Sequence, residues 1–291
     1  FSYSDQWPSK VRIYHLNNEL ERFHLYVKPY IFLPQAFGPF SHIASRERIK
    51  KSFKYAALIC AREQESLINI QEITGPLESL VQYNDFTNLA DGIVPKLFDH
   101  NKSWACIVPN NNMLNVRNVN KTWLDKYEII LVEAISYYRK KGLTPFFLNH
   151  EGEKDGALID YINRIVDEPV PIVMELDPLL VKGVIGASRA VLSSRYHGCI
   201  SALSQGISCI GTSWSHKYEL LYHQYDATEL LLDPNTNVEE LQRSIDISLE
   251  EDSHIAKLIA CKSLELRANS VDMWCHFQMV VERYPAFQGL R

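Results

Sequence analysis

The densest chemistry in this sequence lies in one run, from Ser193-Ser194-Arg195-Tyr196-His197-Gly198 to His216-Lys217-Tyr218. Arg195 and Lys217 are cations, and His197 is of the side-chain type that titrates near neutral pH. Together they suit a small, multiply charged anion that exchanges a proton as it reacts. Any one of them alone is equally well explained as a cap, a solvated charge or a structural hydrogen bond. Their coincidence on consecutive units points to a ligand.

The elements that must position them follow from the apolar pattern. Ala190-Val191-Leu192 is a short buried strand that breaks into small polar residues, and Ile200, Leu203 and Ser204 recur at helical spacing. That is a strand, a tight turn and a helix. Arg195 and His197 then lie at the carboxyl end of the strand, beside the first amides of a helix, where anions are favoured. Ile207 to Gly211 repeats the strand, and Ser213 to Lys217 lead into a helix carrying Leu220, Leu221 and Gln224. Lys217 therefore emerges at the same sheet edge, where open α/β sheets take their ligands.

Earlier segments repeat the layout. The strand Ala57–Ala61 is followed by Arg62, which Glu65 could neutralise one helical turn on. Tyr30–Leu33 is a strand that ends in a Pro- and Gly-rich loop, Pro34 to Phe40, with the amide of Gln35 at its start. Trp104–Pro109 opens into an amide-rich loop that includes Asn111. Thr144–Leu148 ends in Asn149-His150-Glu151-Gly152. His150, Glu151 and Asp155 match no metal-ligand spacing, so no metal is assigned and an acceptor contact or a structural role is expected of them.

Between these lie a long amphipathic helix, Thr122–Lys141, with Trp123, Tyr127, Ile130, Leu131, Ala134 and Tyr138 on one stripe and Gly142 at its stop. Shorter helices are expected over 155–166 and 177–187, a strand over 170–174, and helices over 238–249 and 253–282. Val11–Tyr14 reads as a strand and Asn17–Arg22 as a turn with a helical turn. Trp274, Phe277 and Tyr284 read as core packing. Alternating strands and helices predict an α/β chain of two Rossmann-like, doubly wound domains facing across a cleft. The expected domains are 1–100 and 101–265, with 91–103 as linker and 266–291 as a helix and tail packing back. No opening strand with a glycine-rich turn is visible and the first residue is not Met, so the first domain is expected to be incomplete.

Composition bounds the function. With 46% apolar residues the chain can bury a substantial core, and its formal charge of −5 argues against general nucleic-acid binding. The six cysteines show no close pairing and several sit in apolar runs, which implies reduced, buried thiols and a cytoplasmic setting. No stretch is long and apolar enough for a membrane span, so any membrane association is expected to be peripheral.

The run Ser193 to Leu203, with Gly206, Ile207 and Trp214-Ser215-His216-Lys217-Tyr218, resembles the signature of the polysaccharide pyruvyl transferases. The resemblance extends in order through Leu33–Phe40, Ala61–Ser66, Tyr83-Asn84-Asp85, Ile107–Asn110 and Leu148–Glu151. It implies a fold like that of two-domain glycosyltransferases (glycosyltransferase-B-like), with 1–100 on the acceptor side and 101–265 on the donor side. It also implies transfer of the enolpyruvyl-derived group of phosphoenolpyruvate to a sugar or glycan acceptor, free or lipid-linked, as a pyruvate ketal. By matching position, Arg62, Arg195 and Lys217 would bind the donor and His197 would be the acid-base group, with no cofactor. Gln35, Asn111, His150 and Glu151 are weaker expectations for the cleft or acceptor. Two rival readings remain: a nucleotide-sugar glycosyltransferase of similar fold, and a non-catalytic sugar- or anion-binding module.

Overall fold

The computed structural model describes residues 2–3, 10–96, 98–99, 101–115, 121–212 and 216–284. The chain divides into two compact units. Unit 1 comprises Phe1–Leu89 with Leu266–Arg291, and unit 2 comprises Ala90–Glu265.

Unit 1 runs β1 (Ser2–Tyr3), α1 (Lys10–Leu25), β2 (Ile31–Phe37), α2 (Ile43–Lys54), β3 (Leu58–Ala61), α3 (Gln64–Thr74) and β4 (Leu80–Gln82). The strands form a parallel sheet in the order β1-β2-β3-β4. Its core is aromatic: the Phe53 ring meets Phe32 and Phe37 edge-on, each at 5.5 Å between centroids. That geometry sets the positive ring edge against the negative face.

Two expectations fail in this unit. Val11–Tyr14 and Asn17–Arg22 are one helix, α1, rather than a strand and a turn. Asn17 is buried, and its side-chain oxygen accepts from the Tyr3 hydroxyl at 2.7 Å and the Ser52 hydroxyl at 2.5 Å. The Pro-rich stretch after Leu33 is a loop only from Gly38, since β2 continues through Pro34 to Phe37. The register with β3 slips between Phe32 and Gln35, so Pro34 sits in an irregularity of the ladder, where a missing N–H costs no strand hydrogen bond. The short β1 pairs in parallel with β2, Ser2 opposite Ala36 and Tyr3 opposite Phe37.

Unit 2 contains β5 (Trp104–Val108), a 3-10 turn (Asn111–Leu114), α4 (Thr122–Lys140), β6 (Thr144–Asn149), α5 (Glu153–Ile165), β7 (Ile172–Met174) and α6 (Pro178–Gly186). It continues with β8 (Ala190–Ser193), α7 (Tyr196–Leu203), β9 (Cys209–Thr212), α8 (Lys217–Gln224), β10 (Leu231–Leu232) and α9 (Val238–Leu249). All pairings are parallel, in the order β10-β9-β8-β5-β6-β7. The winding therefore reverses between β5 and β8, and the carboxyl ends of these two neighbours form the topological switch point. β8 and β9 are buried along their whole length, which is why each reads as an uninterrupted run of apolar and small residues. The stripe predicted on α4 is buried, and Gly142 takes the left-handed conformation (φ 78°) just past its end.

The last helix, α10 (His254–Glu282), runs from the end of unit 2 into unit 1. In unit 1 its Met273 and Val280 are buried with Leu58 and Cys60, and Phe277 packs against them. Trp274 and Tyr284, expected in the core, are 36% and 37% exposed. The thiol expectation also needs correcting. Cys60, Cys106, Cys199 and Cys209 are buried, but Cys261 and Cys275 are exposed on α10.

Candidate active site

The switch point is built on a buried polar knot. Ser194, one residue past β8, accepts at its hydroxyl from Tyr127 (2.6 Å) and Thr212 (2.7 Å). Its carbonyl accepts from the Asn110 amide (2.9 Å) and the Tyr218 hydroxyl (2.8 Å). The Tyr127 hydroxyl in turn accepts from the Asn110 backbone N–H at 2.9 Å. Burial pushes the Tyr127 phenol up from its ordinary value, so it remains a neutral donor. The ends of β5, β8 and β9 are thus tied to α4 and α8 by side chains whose hydrogen bonds are satisfied inside the protein. Such a network fixes one geometry for the turn that follows.

That turn delivers Arg195, Tyr196 and His197. Arg195 is the N-cap residue of α7, in extended conformation, and Ser193 Oγ accepts its N–H at 3.2 Å and donates to its carbonyl at 2.9 Å. Gly198 is required here, because a Cβ would fall 2.3 Å from Ser193 Oγ. Gly198→Ala is expected to cost about 1–3 kcal/mol through overpacking, less the ~1 kcal/mol by which Ala improves a helix. Ser193→Ala/Gly198→Ala should recover part of the loss, and a double-mutant cycle in urea measures the coupling.

The Arg195 side chain turns toward α5. Its Nε and Nη2 lie 2.9 and 2.5 Å from Asp155 Oδ2, while Nη1 is 3.5 Å from Glu151 Oε2. Asp155 is buried and its other oxygen accepts the Asn111 N–H at 2.9 Å. The carboxylate is thus engaged by a guanidinium and an amide. His150 lies beside this cluster. Its Nδ1 is buried and meets no hydrogen-bond partner among the described residues. Burial holds its imidazole below the ordinary histidine range, a shift that the neighbouring Glu151 only partly offsets. His150 is therefore neutral near pH 7.

His197 and Lys217 meet at Tyr196. The exposed His197 ring stands perpendicular to the Tyr196 ring, 5.7 Å away. Lys217 Nζ lies 5.0 Å from the same ring's centroid and 5.6 Å from that of Tyr218. The two tyrosines pack edge-to-face at 5.7 Å. Tyr196 is the member of this group that sequence reasoning missed. The signal was its place between two charged candidates, where an aromatic face holds a cation without neutralising it. The neighbouring Ser213, Trp214 and Ser215 lie outside the described residues.

Unit 1 holds the other two predicted residues. Arg62 is buried and pairs with Glu63 (3.1 Å) and Asp85 (3.5 Å). Asp85 is itself fixed by the N–H and hydroxyl of Thr87. Gln35 is half-buried in β2, and its carbonyl accepts the Arg62 N–H at 3.2 Å. Within unit 2, then, the structure gathers Asn111, His150, Glu151, Asp155 and Arg195 in one cluster. His197 and Lys217 sit around Tyr196 on the adjoining helix starts.

A family model for polysaccharide pyruvyl transferase matches residues 5–216. No curated protein matches the chain in sequence. Solved structures resemble it along most of its length. Trehalose 6-phosphate synthase from Burkholderia multivorans aligns with a TM-score of 0.58 at 11% identity, over 92% of this chain and 69% of that one. MnaA of S. aureus, solved with UDP, gives 0.57 at 12% identity over 95% and 83%. HepE of Anabaena, also with UDP, gives 0.57 at 13% identity over 92% and 76%. The fold they share with this chain is glycosyltransferase-B-like: α/β, Rossmann-like, with parallel sheets.

Proposed function

This chain belongs to the polysaccharide pyruvyl transferase family, and from that premise we propose that it moves the enolpyruvyl-derived group of phosphoenolpyruvate onto two hydroxyls of a sugar. The product is a pyruvate ketal in a polysaccharide or glycan precursor, with phosphate released. The observation that carries this reading is the grouping of Lys217 and His197 on Tyr196, one residue from Arg195 at the switch point.

In this reading His197 delivers a proton to the methylene carbon of the donor, and positive charge develops on the central carbon. A sugar hydroxyl adds there and gives up its proton. The bond from the central carbon to the phosphate oxygen breaks, and phosphate leaves with the electron pair. A second hydroxyl adds to the same carbon and loses its proton. The carbon is left with a methyl group, a carboxylate and two sugar oxygens. Arg195 and Lys217 hold the donor's phosphate and carboxylate, Arg195 as a planar fork and Lys217 as a point charge. Arg195 is already engaged by Asp155, so an incoming anion would displace only Glu151, whose side chain is 49% exposed and 3.5 Å away. Arg62 is assigned to the donor on the resemblance alone. The neutral His150, with Glu151, Asn111 and Gln35, is assigned to the acceptor's hydroxyls.

The test is release of inorganic phosphate from phosphoenolpyruvate with galactosyl, glucosyl, mannosyl and N-acetylated acceptors. Release that requires both donor and acceptor is the expected result. Turnover of a nucleotide sugar with the same acceptors, and none of phosphoenolpyruvate, would replace this reading with glycosyl transfer. Binding of either without turnover would leave a binding module.

A further inference from the structure

A second feature lies on unit 1, at the carboxyl ends of α1 and α2. The two ends come together, with the His24 ring stacked flat on Tyr55 at 3.5 Å; further back along the helices, Arg48 lies over the Tyr14 ring at 4.5 Å. Beyond them the last residue of α1 and the turn after it present apolar side chains to solvent, with Leu25 73%, Tyr26 73% and Val27 85% exposed. Contiguous exposure of this kind marks an interaction surface rather than scattered surface residues. The helix end needs none of these side chains for its own closure. Lys28 N–H donates to the Phe23 carbonyl at 2.8 Å and Val27 N–H to that of His24 at 3.0 Å, a backbone cap that serves the last carbonyls. Val27 makes that cap in the left-handed region (φ 53°), where glycine is the usual occupant and a β-branched residue is strained. The Val27 side chain stands in water.

The charge around this apolar tip is predominantly positive. Residues 14–55 carry seven Lys and Arg against three Glu, whereas the whole chain has 30 against 35. Arg46, Arg48, Lys50, Lys51 and Lys54 all lie on the exposed part of α2, with Lys28 just past Val27. Arg48 and Lys51 line a cavity of about 140 Å³ between the helices, with Tyr30, Tyr55, Asn17 and a single carboxylate, Glu21. Two cations against one acid leave that cavity suited to a phosphate.

We propose that this tip docks on an anionic lipid bilayer. Leu25, Tyr26 and Val27 would enter the interface, the α2 cations would face the headgroups, and the Arg48–Lys51 cavity would take a lipid phosphate. Apolar side chains ringed by Lys and Arg are the physical signature of interfacial rather than spanning attachment, and no helix among the described residues is long and apolar enough to cross a membrane. This inference is independent of the pyruvyl-transfer reading, because it concerns binding and uses none of the residues assigned to donor or acceptor.

Co-sedimentation with vesicles of phosphatidylglycerol and of phosphatidylcholine tests it. The chain is expected to pellet with the first and stay in solution with the second. Each juxtamembrane cation contributes about fivefold in partition, so Lys50→Gln/Lys51→Gln/Lys54→Gln should lower it by about a hundredfold. Leu25→Ser/Val27→Ser should lower it by at least about tenfold through lost apolar burial. All five positions are exposed, so both variants should melt with the parent, which separates lost binding from lost folding. Equal pelleting with both lipids, none with either, or parental pelleting of the variants would overturn the proposal. So would displacement when inorganic phosphate replaces chloride at matched ionic strength, because the site would then serve a free anion.

Discussion

His197→Ala should reduce phosphate release from phosphoenolpyruvate by about 10²- to 10⁴-fold, the usual worth of a positioned general acid, with little change in KM for the donor. The side chain stands exposed at the start of α7, with Tyr196 beside it, so its removal vacates no core volume and the melting temperature should be that of the parent. That combination is diagnostic. A structural histidine would lose stability, and a donor-binding one would raise KM. Lys217→Ala provides the contrast. It removes a charge 5.0 Å from the same ring, so it should raise KM for phosphoenolpyruvate and leave the proton transfer itself in place. Parental turnover in His197→Ala, with the fold intact, would remove His197 from the mechanism and return attention to the neutral His150.

The sequence carried the frame of unit 2 well because its strands are buried on both faces and its helices are amphipathic. β5, β8 and α4 could be located from apolar runs and a stripe, and the strand ends followed. Unit 1 was less legible where local signals compete. Val11–Tyr14 alternates like a strand, but it lies within a 16-residue helix anchored by Leu20 and the buried Asn17. Pro34 looks like a strand breaker until the register slip of β2 supplies a place that needs no donor. Side-chain partners were the least visible layer. Glu63 is adjacent to Arg62 in sequence, yet Asp85 reaches it only because β3 and β4 pair in parallel. Asp155 lies forty positions from Arg195. Only the strand order, which sets β6 and β8 on opposite sides of β5, brings the turns after those strands to one edge. The same long-range order creates the Ser194 knot, whose members come from five separate segments.

The Arg195–Asp155 pair should give the largest loss of stability. Arg195→Ala leaves the Asp155 carboxylate, 3% exposed, with the Asn111 N–H as its other partner among the described residues. Removing one member of a buried ion pair costs about 3–5 kcal/mol, because the remaining charge is no longer compensated. Asp155→Asn should cost less but act on the same group. Its single amide oxygen can accept from Asn111 or from Arg195 but not from both, and the NH2 at the other position is a donor, so the guanidinium loses its fixed aim at the switch point. Turnover should fall even though Asp155 is not assigned to substrate. Arg195→Lys retains the charge without the fork that makes two contacts to one oxygen, and should raise KM for the donor more than it lowers kcat. The decisive variant removes both charges. Because a buried pair is often no more stabilising than well-packed apolar residues of similar volume, Arg195→Met/Asp155→Leu should regain much of the stability lost by Arg195→Ala in urea denaturation. If stability returns and phosphate release does not, the substrate needs the guanidinium itself. If both return, the pair is only a brace between α5 and α7, and the donor's charge must be met by Lys217 and other groups.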